Sequence, residues 1–579
     1  MFSLLFLALS GGATLLAGPD VLVSRENDFA HVEMIVAAHP SDPKKLIAGS
    51  MFLGSGFGTV VYASTDGGIT WTPSHPAEAI ETDADPVVLY TPKGTALFLA
   101  LPANPLVNAA GRRYMPIVLY RSEDGRTWQK PVLLGTEGGY DYPRIAADPR
   151  SGRIYVGAVV GEESNLDLFR SDDDGRTFKA SVLAKATTEG IGLGTTGLAV
   201  LADGTLVHSY LEYPMGNLRD TVREKKHWVT VSRDGGETFS EPVFAGSQIL
   251  PPDGARDRFR LLGHGSQMAA GGDRIHLSWT DSRTGRPQVV VSSSADQGRT
   301  WSEPRPVAGP LPEGAYSFQP SLAVNKDGVL GVSWLDTRNH PGTDLYDAWF
   351  SASLDGGATF LPAVRLSSAS SDPLGTGNQR PSPGSMWDRR NKVIRVFFLN
   401  ALNRYPHGGD YAGLAAAADG SFHPLWPDSR TGTFQAWTTR VTLAGQPASA
   451  TAPEAAVDLS ESVELTFDPA AWDGETKELR LPIRLRNRSD KAIRGPLQVR
   501  VKEFGSGQHG EFLENTPAIL NAANGEKGVG AVFDYSQAFG DFDVLEPGAV
   551  TDPVVWRFKI VGAGAWTPDM HVVVTGRVP

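Results

Sequence analysis

The sequence predicts an all-β chain: a β-propeller of seven blades, or six if one end unit is irregular, followed by a small β-sandwich. Three observations carry this. A short polar motif recurs six times, at starts roughly 50–60 residues apart; a second turn signal recurs seven times; and the composition changes near residue 444. Self-similarity at such a period marks a repeat architecture. Four-stranded antiparallel units of this length suit a propeller.

The motif reads STDGGITW (64–71), SEDGRTW (122–128), SDDDGRTF (171–178), SRDGGETF (232–239), SSADQGRTW (293–301) and SLDGGATF (353–360). Alternating apolar residues precede each copy, as in VVYAS, IVLYRS and DAWFSAS. That is a strand signal, so the motif is a hairpin turn. Its Ser and Asp can bond the turn's N–H groups, and its Gly supplies positive φ. The second turn reads HPSDPKK, YTPKGTA, ADPRSGR, LADGT, AGGDR, NKDGV and AADGS, each flanked by apolar runs. Each unit is therefore strand A, tight turn, strand B, loop, strand C, motif turn, strand D. The last unit (410–441) stops after three strands, and DVLVSR at 20–25 can supply the fourth and close the ring.

The flanking regions set the domain plan. Residues 1–18 are apolar and uncharged and read as an export signal. The propeller is expected over 19–443. An Ala/Pro/Gly/Ser-rich linker follows over 444–456, then alternating segments over 457–579 that suit an immunoglobulin- or fibronectin-like sandwich. The chain has no cysteine, which excludes disulfides, thiolate metal sites and cysteine nucleophiles. A net charge of −12 argues against nucleic acid as the main partner. No spacing of His, Asp and Glu resembles a zinc site or an EF-hand, so no cofactor or metal is expected. A secreted or periplasmic bacterial protein, free of the membrane once its signal is removed, fits these features.

The motif S-x-D-x-G-x-T-[WF] is the Asp box, or bacterial neuraminidase repeat. Over about residues 20–441 the chain resembles sialidases and related secreted propellers. The resemblance implies that the Asp boxes lie on the perimeter of the face away from the active site. It also implies a glycan or glycoconjugate substrate, and a glycoside hydrolase that removes a terminal, expectedly anionic, sugar. A non-catalytic propeller that binds glycan or protein, and another carbohydrate enzyme such as a lyase, are the alternatives. The sequence leaves the oligomeric state open.

On the opposite face, three B–C loops share one signature: SWTDSRTG (278–285), SWLDTRN (333–339) and LWPDSRTG (425–432). Arg283, Arg338 and Arg430 can converge as an anion site, which would match the arginine triad that the resemblance implies. Alternatively, each pairs with its own Asp inside its blade. The fourth unit breaks the signature with Tyr210 and Glu212; a tyrosine beside a carboxylate matches the nucleophile–base pair of sialidases. The D–A loops feed the strands nearest the axis. They bring Asp85 or Asp141 as an acid, Arg144, His264, Gln267 and Gln319 as substrate contacts, and Tyr411 as a further catalytic candidate; Tyr140, Tyr142 and Tyr316 are other tyrosines at these ends. The family's F/Y-R-I-P motif, source of its first triad arginine, is absent from 19–63; YPRIAADP at 142–149, which holds Arg144, is a scrambled echo of it.

Overall fold

The computed structural model describes residues 13–24, 29–54, 56–76, 79–136, 138–161, 165–186, 188–214, 224–250, 266–388, 393–444, 457–506, 518–535, 538, 544–560 and 568–577. The chain divides into two compact units, Met1–Ala448 and Ser449–Pro579.

The first unit is a ring of seven antiparallel sheets. Six have four strands in plain order A-B-C-D. Their innermost strands are Ala30–Ala38, Thr82–Tyr90, Tyr140–Ala147, Ile191–Val200, Gln267–Gly271 and Ser317–Val324. The seventh sheet joins Gly413–Ala416, Phe422–Asp428 and Gln435–Thr438, and its outer strand is Val21–Leu22. Val21 pairs with Thr438 and Leu22 with Trp437, so the N-terminal segment completes the last blade as the incomplete final repeat requires. Each innermost strand packs against those of both neighbouring sheets, and the seventh against the first. Large apolar side chains fill the spaces between sheets, among them Trp71, Trp279, Trp334 and Phe350, all buried.

Two strands extend the closing sheet. Val441–Ala444 pairs with Thr14–Ala17, so part of the apolar N-terminal run belongs to the fold; Leu15 lies in the core beside Phe350 and Phe422.

The Asp boxes are the C–D turns. In the third blade Asp173 Oδ1 accepts from the N–H of Arg176 (3.0 Å) and of Thr177 (2.9 Å), and Oδ2 accepts from the Thr177 hydroxyl (2.7 Å). The Ser171 hydroxyl donates to Asp173 (2.8 Å) and accepts from the Gly175 N–H (2.8 Å). Burial works against ionisation of Asp173, but these hydrogen bonds outweigh it and hold the carboxyl at about 2. The motif is a turn stabiliser. Asp173→Ala should lower the stability of the unit by about 0.5–2 kcal/mol, as loss of a side-chain cap does. Urea unfolding checks this. A variant of native stability that fails to turn over substrate would place the motif at the chemistry instead.

The second unit is a sandwich. One sheet orders Val457–Asp458, Pro568–Arg577, Ile493–Ser506 and Val532–Asp534; the other orders Val463–Phe467, Glu478–Asn487, Val554–Lys559 and Ala518–Ile519. Its core holds Trp556 stacked on Phe533, ring centroids 3.9 Å apart. Residues 445–456 of the expected linker lie outside the described residues.

Candidate active site

The site is built from one repeated backbone irregularity. Five residues before the last residue of each innermost strand stands an equivalent position: Glu33, Asp85, Tyr142, Thr195 and Gln319 within their strands, and Ser266 and Tyr411 just ahead of theirs. In five of the strands the pairing register breaks there, at Val32/Ile35, Ala84/Val87, Asp141/Arg144, Thr195/Gly197 and Phe318/Ser321. Four of these residues take positive φ without being glycine: Glu33 (53°), Asp85 (51°), Tyr142 (49°) and Gln319 (53°). Each such residue costs on the order of 1–3 kcal/mol, and such strain clusters at functional sites. The bulges sit at the strand ends away from the A–B turns, hence away from the Asp boxes.

The loop that leads into the seventh blade, residues 405–412, ties these ends together. Glu33 donates its N–H to Gly408 O (2.9 Å), Gln319 Nε2 to Gly409 O (2.8 Å) and the Ser321 hydroxyl to Ala412 O (2.5 Å). Tyr411 donates its hydroxyl to Pro86 O (3.4 Å), and Gln267 Nε2 donates to Ala412 O (3.4 Å). Blades one, two, five and six thus all hold this loop. Gly409 has φ 115°, and an added Cβ would stand 2.5 Å from the Glu33 nitrogen, so no larger residue passes there.

Three carboxyls and three tyrosines meet where the loop crosses. The Tyr142 hydroxyl donates to Asp410 Oδ2. The Tyr142 N–H donates to Asp85 Oδ2 (2.8 Å) and to Asp141 Oδ1 (3.0 Å). Arg404, at the end of the short helix Ala401–Arg404, places Nη1 3.8 Å from Asp410 Oδ1 and its guanidinium 4.5 Å from the Tyr405 ring centre. The Arg144 guanidinium lies 5.7 Å from the Tyr142 ring centre and 5.3 Å from that of Tyr411.

Crowded carboxyls cannot all ionise. Burial, then the charges of Asp410 and Asp85, push Glu33 well above the usual carboxylate range; Arg404 opposes them. Asp141 is likewise raised, by its depth within the protein and by Asp85 beside it. Its side chain is nevertheless open to solvent, so the repulsion from Asp85 is the cause that weighs most. Asp83 is raised to about 6 by burial and by Asp85. Burial and the surrounding carboxylates also raise the Tyr142 hydroxyl, so the phenol stays protonated.

Asp85, Asp141, Arg144, Gln267, Gln319 and Tyr411 therefore gather at one mouth, as their place at the D–A loop ends suggested. The B–C residues do not join them. Tyr210 is core, packed with Leu166 and Leu193 and stacked on His208; burial, and then Glu212, raise its hydroxyl to about 12. Glu212 lies in the second strand of blade four, paired with Leu193 and Lys226, one strand further from the axis. The pair is displaced because Tyr210 occupies the position that the buried Trp279, Trp334 and Trp426 hold in other blades. His264 lies outside the described residues.

The three arginines do not converge. Arg283 Nε donates to Asp281 (2.8 Å), Arg338 Nη2 to Asp336 (2.5 Å) and Arg430 Nη2 to Asp428 (2.6 Å). In each case the tryptophan two residues before the Asp donates its indole N–H to the same carboxylate, at 3.1, 2.9 and 3.3 Å. Arg430 also holds Asp20 (2.6 Å) beside the closing strand. The signature is a clamp repeated by blade, so Arg283, Arg338 and Arg430 do not form the triad that the resemblance implied. Among the described residues no group of His, Asp and Glu has the arrangement of a metal site.

The Asp-box geometry agrees with what the chain is similar to. Residues 62–73 match the BNR/Asp-box repeat. Distant sialidases are among its relatives. A sialidase of Bacteroides fragilis (strain YCH46) is 26% identical over 296 residues, 44% of this chain and 50% of that protein. A sialidase of Micromonospora viridifaciens is 26% identical over 338 residues, 52% of this chain and 48% of the relative. The chain thus spans about half the length of the curated relatives it matches. Among solved structures, the Hadza microbial sialidase Hz136 aligns at TM-score 0.39 and 20% identity, covering 69% of this chain and 73% of that one. A leech intramolecular trans-sialidase aligns at TM-score 0.36 and 12% identity, covering 74% and 93%.

Glu33 and Arg404 are members that the sequence reading did not select; Asp410 stood beside Tyr411 at a D–A loop end but was given no role. Glu33 was findable: it has the same offset from its A–B turn as Asp85 and Tyr142. Asp410 follows Gly408–Gly409, a pair whose positive φ values mark a special loop. Arg404 sits on a four-residue helix between repeats, and no periodicity points to it.

Proposed function

We propose that this protein is a glycoside hydrolase whose reaction takes place at the axial site, with Tyr142 as nucleophile and Asp410 as its base. The observation that carries the reading is the Tyr142 hydroxyl donating to buried Asp410 beside two carboxyls, Asp141 and Glu33, whose pKa values are raised. A carboxylate nucleophile would add charge to a crowded acidic site; a phenol does not. Tyr142 Oη attacks the anomeric carbon as its proton passes to Asp410. Asp141, solvent-accessible and protonated, gives its proton to the departing glycosidic oxygen. In the second step Asp141 takes a proton from water, which attacks the anomeric carbon, and Tyr142 leaves with the proton held by Asp410. Configuration is retained. Burial and the charges of Asp410 and Asp85 favour the neutral form of Glu33. Arg144 and Arg404 orient the tyrosines and Asp410.

Purified protein screened against fluorogenic glycosides, sialosides included, tests this. Turnover that vanishes in Tyr142→Phe supports the reading; no turnover of any glycoside by native protein ends it. The alkaline limb of the pH–rate profile should lie above the ordinary carboxyl range, because activity is lost as Asp141 gives up its proton and that pKa is raised. A limb near 4 would remove Asp141 from the acid role.

The same proposal places the enzyme outside the cytoplasm, on the apolar run at 1–18. Because Thr14–Ala17 is a strand of the closing sheet, signal cleavage on this reading falls before Thr14. Mass spectrometry of exported protein checks the new terminus.

A further inference from the structure

We infer that a hairpin of blade two holds the part of the substrate beyond the scissile bond, and that at Arg113 it takes an anionic group there, a carboxylate or a sulfate. This rests on the glycosidase reading above and deepens it on the leaving-group side. The longest B–C connection of the ring is that of blade two, between Pro102 and Ile117. It folds into a small hairpin, Leu106–Val107 paired with Arg113–Tyr114. Asn108 builds the turn: its Oδ1 accepts from the N–H of Ala110 and of Arg112, both at 3.0 Å, and Gly111 takes φ 73°. The pairing sets Val107 opposite Arg113, so the two share a face. Both are exposed, whereas Tyr114 on the other face is buried.

The hairpin stands between the two D–A loops that deliver the axial carboxyls. On one side Ala103 donates its N–H to Glu81 O (2.8 Å), on the chain that runs on to Asp85. On the other, Met115 bridges Gly139 in parallel; its N–H donates to Gly138 O (2.9 Å) and its carbonyl accepts from the Tyr140 N–H (3.2 Å). Asn108 Nδ2 donates to Thr136 O (3.1 Å) in the same loop. Arg113 lies two residues before Met115, and Asp141 two residues after Gly139. The parallel bridge therefore sets Arg113 further out than Asp141 by about four residues of extended chain, ~13 Å at ~3.3 Å per residue and roughly the span of two linked sugar rings. Asp141 gives its proton to the departing oxygen, so the leaving group lies on this side. The floor beneath is acidic, with Glu33, Asp85, Asp141 and Asp410, whereas Arg112 and Arg113 stand exposed at the rim. An anionic group on the substrate is thus repelled at the axis and attracted at the hairpin. Among the described residues nothing pairs with the Arg113 side chain, so its guanidinium fork is open to an oxyanion.

The test compares two leaving groups on one sugar. The sugar that the fluorogenic screen finds to be released is offered to the full chain as its 4-methylumbelliferyl and its 3-carboxyumbelliferyl glycoside, the second with an anionic group at the far end of the leaving group. The quantity read is the ratio of kcat/KM for the carboxylated glycoside to that for the neutral one. Arg113→Gln should lower this ratio about threefold or more, chiefly through KM, as loss of an exposed ion pair does. Arg113→Lys should keep part of it, because the charge remains and the fork is lost. Arg176→Gln makes the same change of charge at an Asp box, on the opposite face, and should keep the native ratio. An unchanged ratio in Arg113→Gln overturns the inference. An equal fall in Arg176→Gln does so too, since the effect would then belong to net charge and not to the hairpin. Either result leaves the hydrolase standing. Turnover of no glycoside by native protein ends the hydrolase reading, and the leaving-group site with it.

Discussion

Replacing Tyr142 by Phe should lower kcat on any responsive glycoside by about 10³-fold or more, with the fold retained. The size follows from losing nucleophile and base together: without the phenolic oxygen there is no covalent intermediate, and Asp410 has no proton to accept. Residues that act as a unit are non-additive. Tyr142→Phe with Asp410→Asn should therefore be little slower than either alone. The cost to stability is modest, about 1–3 kcal/mol for a buried carboxylate that loses one donor. Tyr210→Phe is the matched control. Tyr210 packs in the core of the blade three–four interface, so its variant should keep kcat. Equal losses in the two variants, or full activity in Tyr142→Phe, would return the nucleophile to the B–C face.

Asp336→Ala should be strongly destabilising, at about 3–5 kcal/mol. Asp336 is fully buried and accepts from the Trp334 indole (2.9 Å), from the N–H of Arg338 (3.0 Å), from Arg338 Nε (2.8 Å) and from Arg338 Nη2 (2.5 Å). Alanine leaves Arg338 charged and mostly enclosed, 4.0 Å from the Trp349 ring centre, with Ala308 O as its remaining acceptor. An Asp-box carboxylate such as Asp173 sits at the surface and loses no charged partner, hence its smaller expected cost. Arg338→Lys should also reduce stability, because the ammonium cannot reproduce the fork, and should leave sugar affinity alone. Native stability in Asp336→Ala together with weakened sugar binding would mean that Arg338 reaches the substrate.

These two expectations divide along the line between what the sequence could and could not reveal. The propeller was legible because its turn chemistry is local: Ser171, Asp173, Gly175 and Thr177 satisfy one another within eight residues, six times over. The seventh blade and its outer strand at Val21–Leu22 followed from counting A–B turns. The axial carboxyls at D–A loop ends were legible by topology, which is how Asp85 and Asp141 were found. The B–C arginines were ambiguous because W-x-D-x-R encodes side-chain order but not direction. Turned inward, each arginine meets its own Asp; turned to the mouth, it would meet a ligand. The structure has them meet the Asp, where the indole, the arginine N–H and two guanidinium nitrogens satisfy one buried carboxylate, as at Asp336. The Tyr142–Asp410 pair joins residues 268 positions apart through a loop outside the repeat pattern, and nothing local announces that contact.

The pairing of Val21–Leu22 with Gln435–Thr438 also sets a clock on how the ring is made. A ribosome adding about 5–20 residues per second reaches the closing strands roughly 20–80 s after the opening one. Through that interval the first blade has no seventh to cover it: Val32 and Met51 lack Phe422 and Trp426, their eventual neighbours in one core. An unclosed ring therefore carries two sticky apolar flanks, and its assembly is slow by its long-range pairing. The folded state is correspondingly all-or-none at the seam. Loss of Val21–Leu22 would strip the outer strand from the seventh blade and leave the N-terminal segment joined to the closing sheet through Thr14–Ala17 on Val441–Ala444.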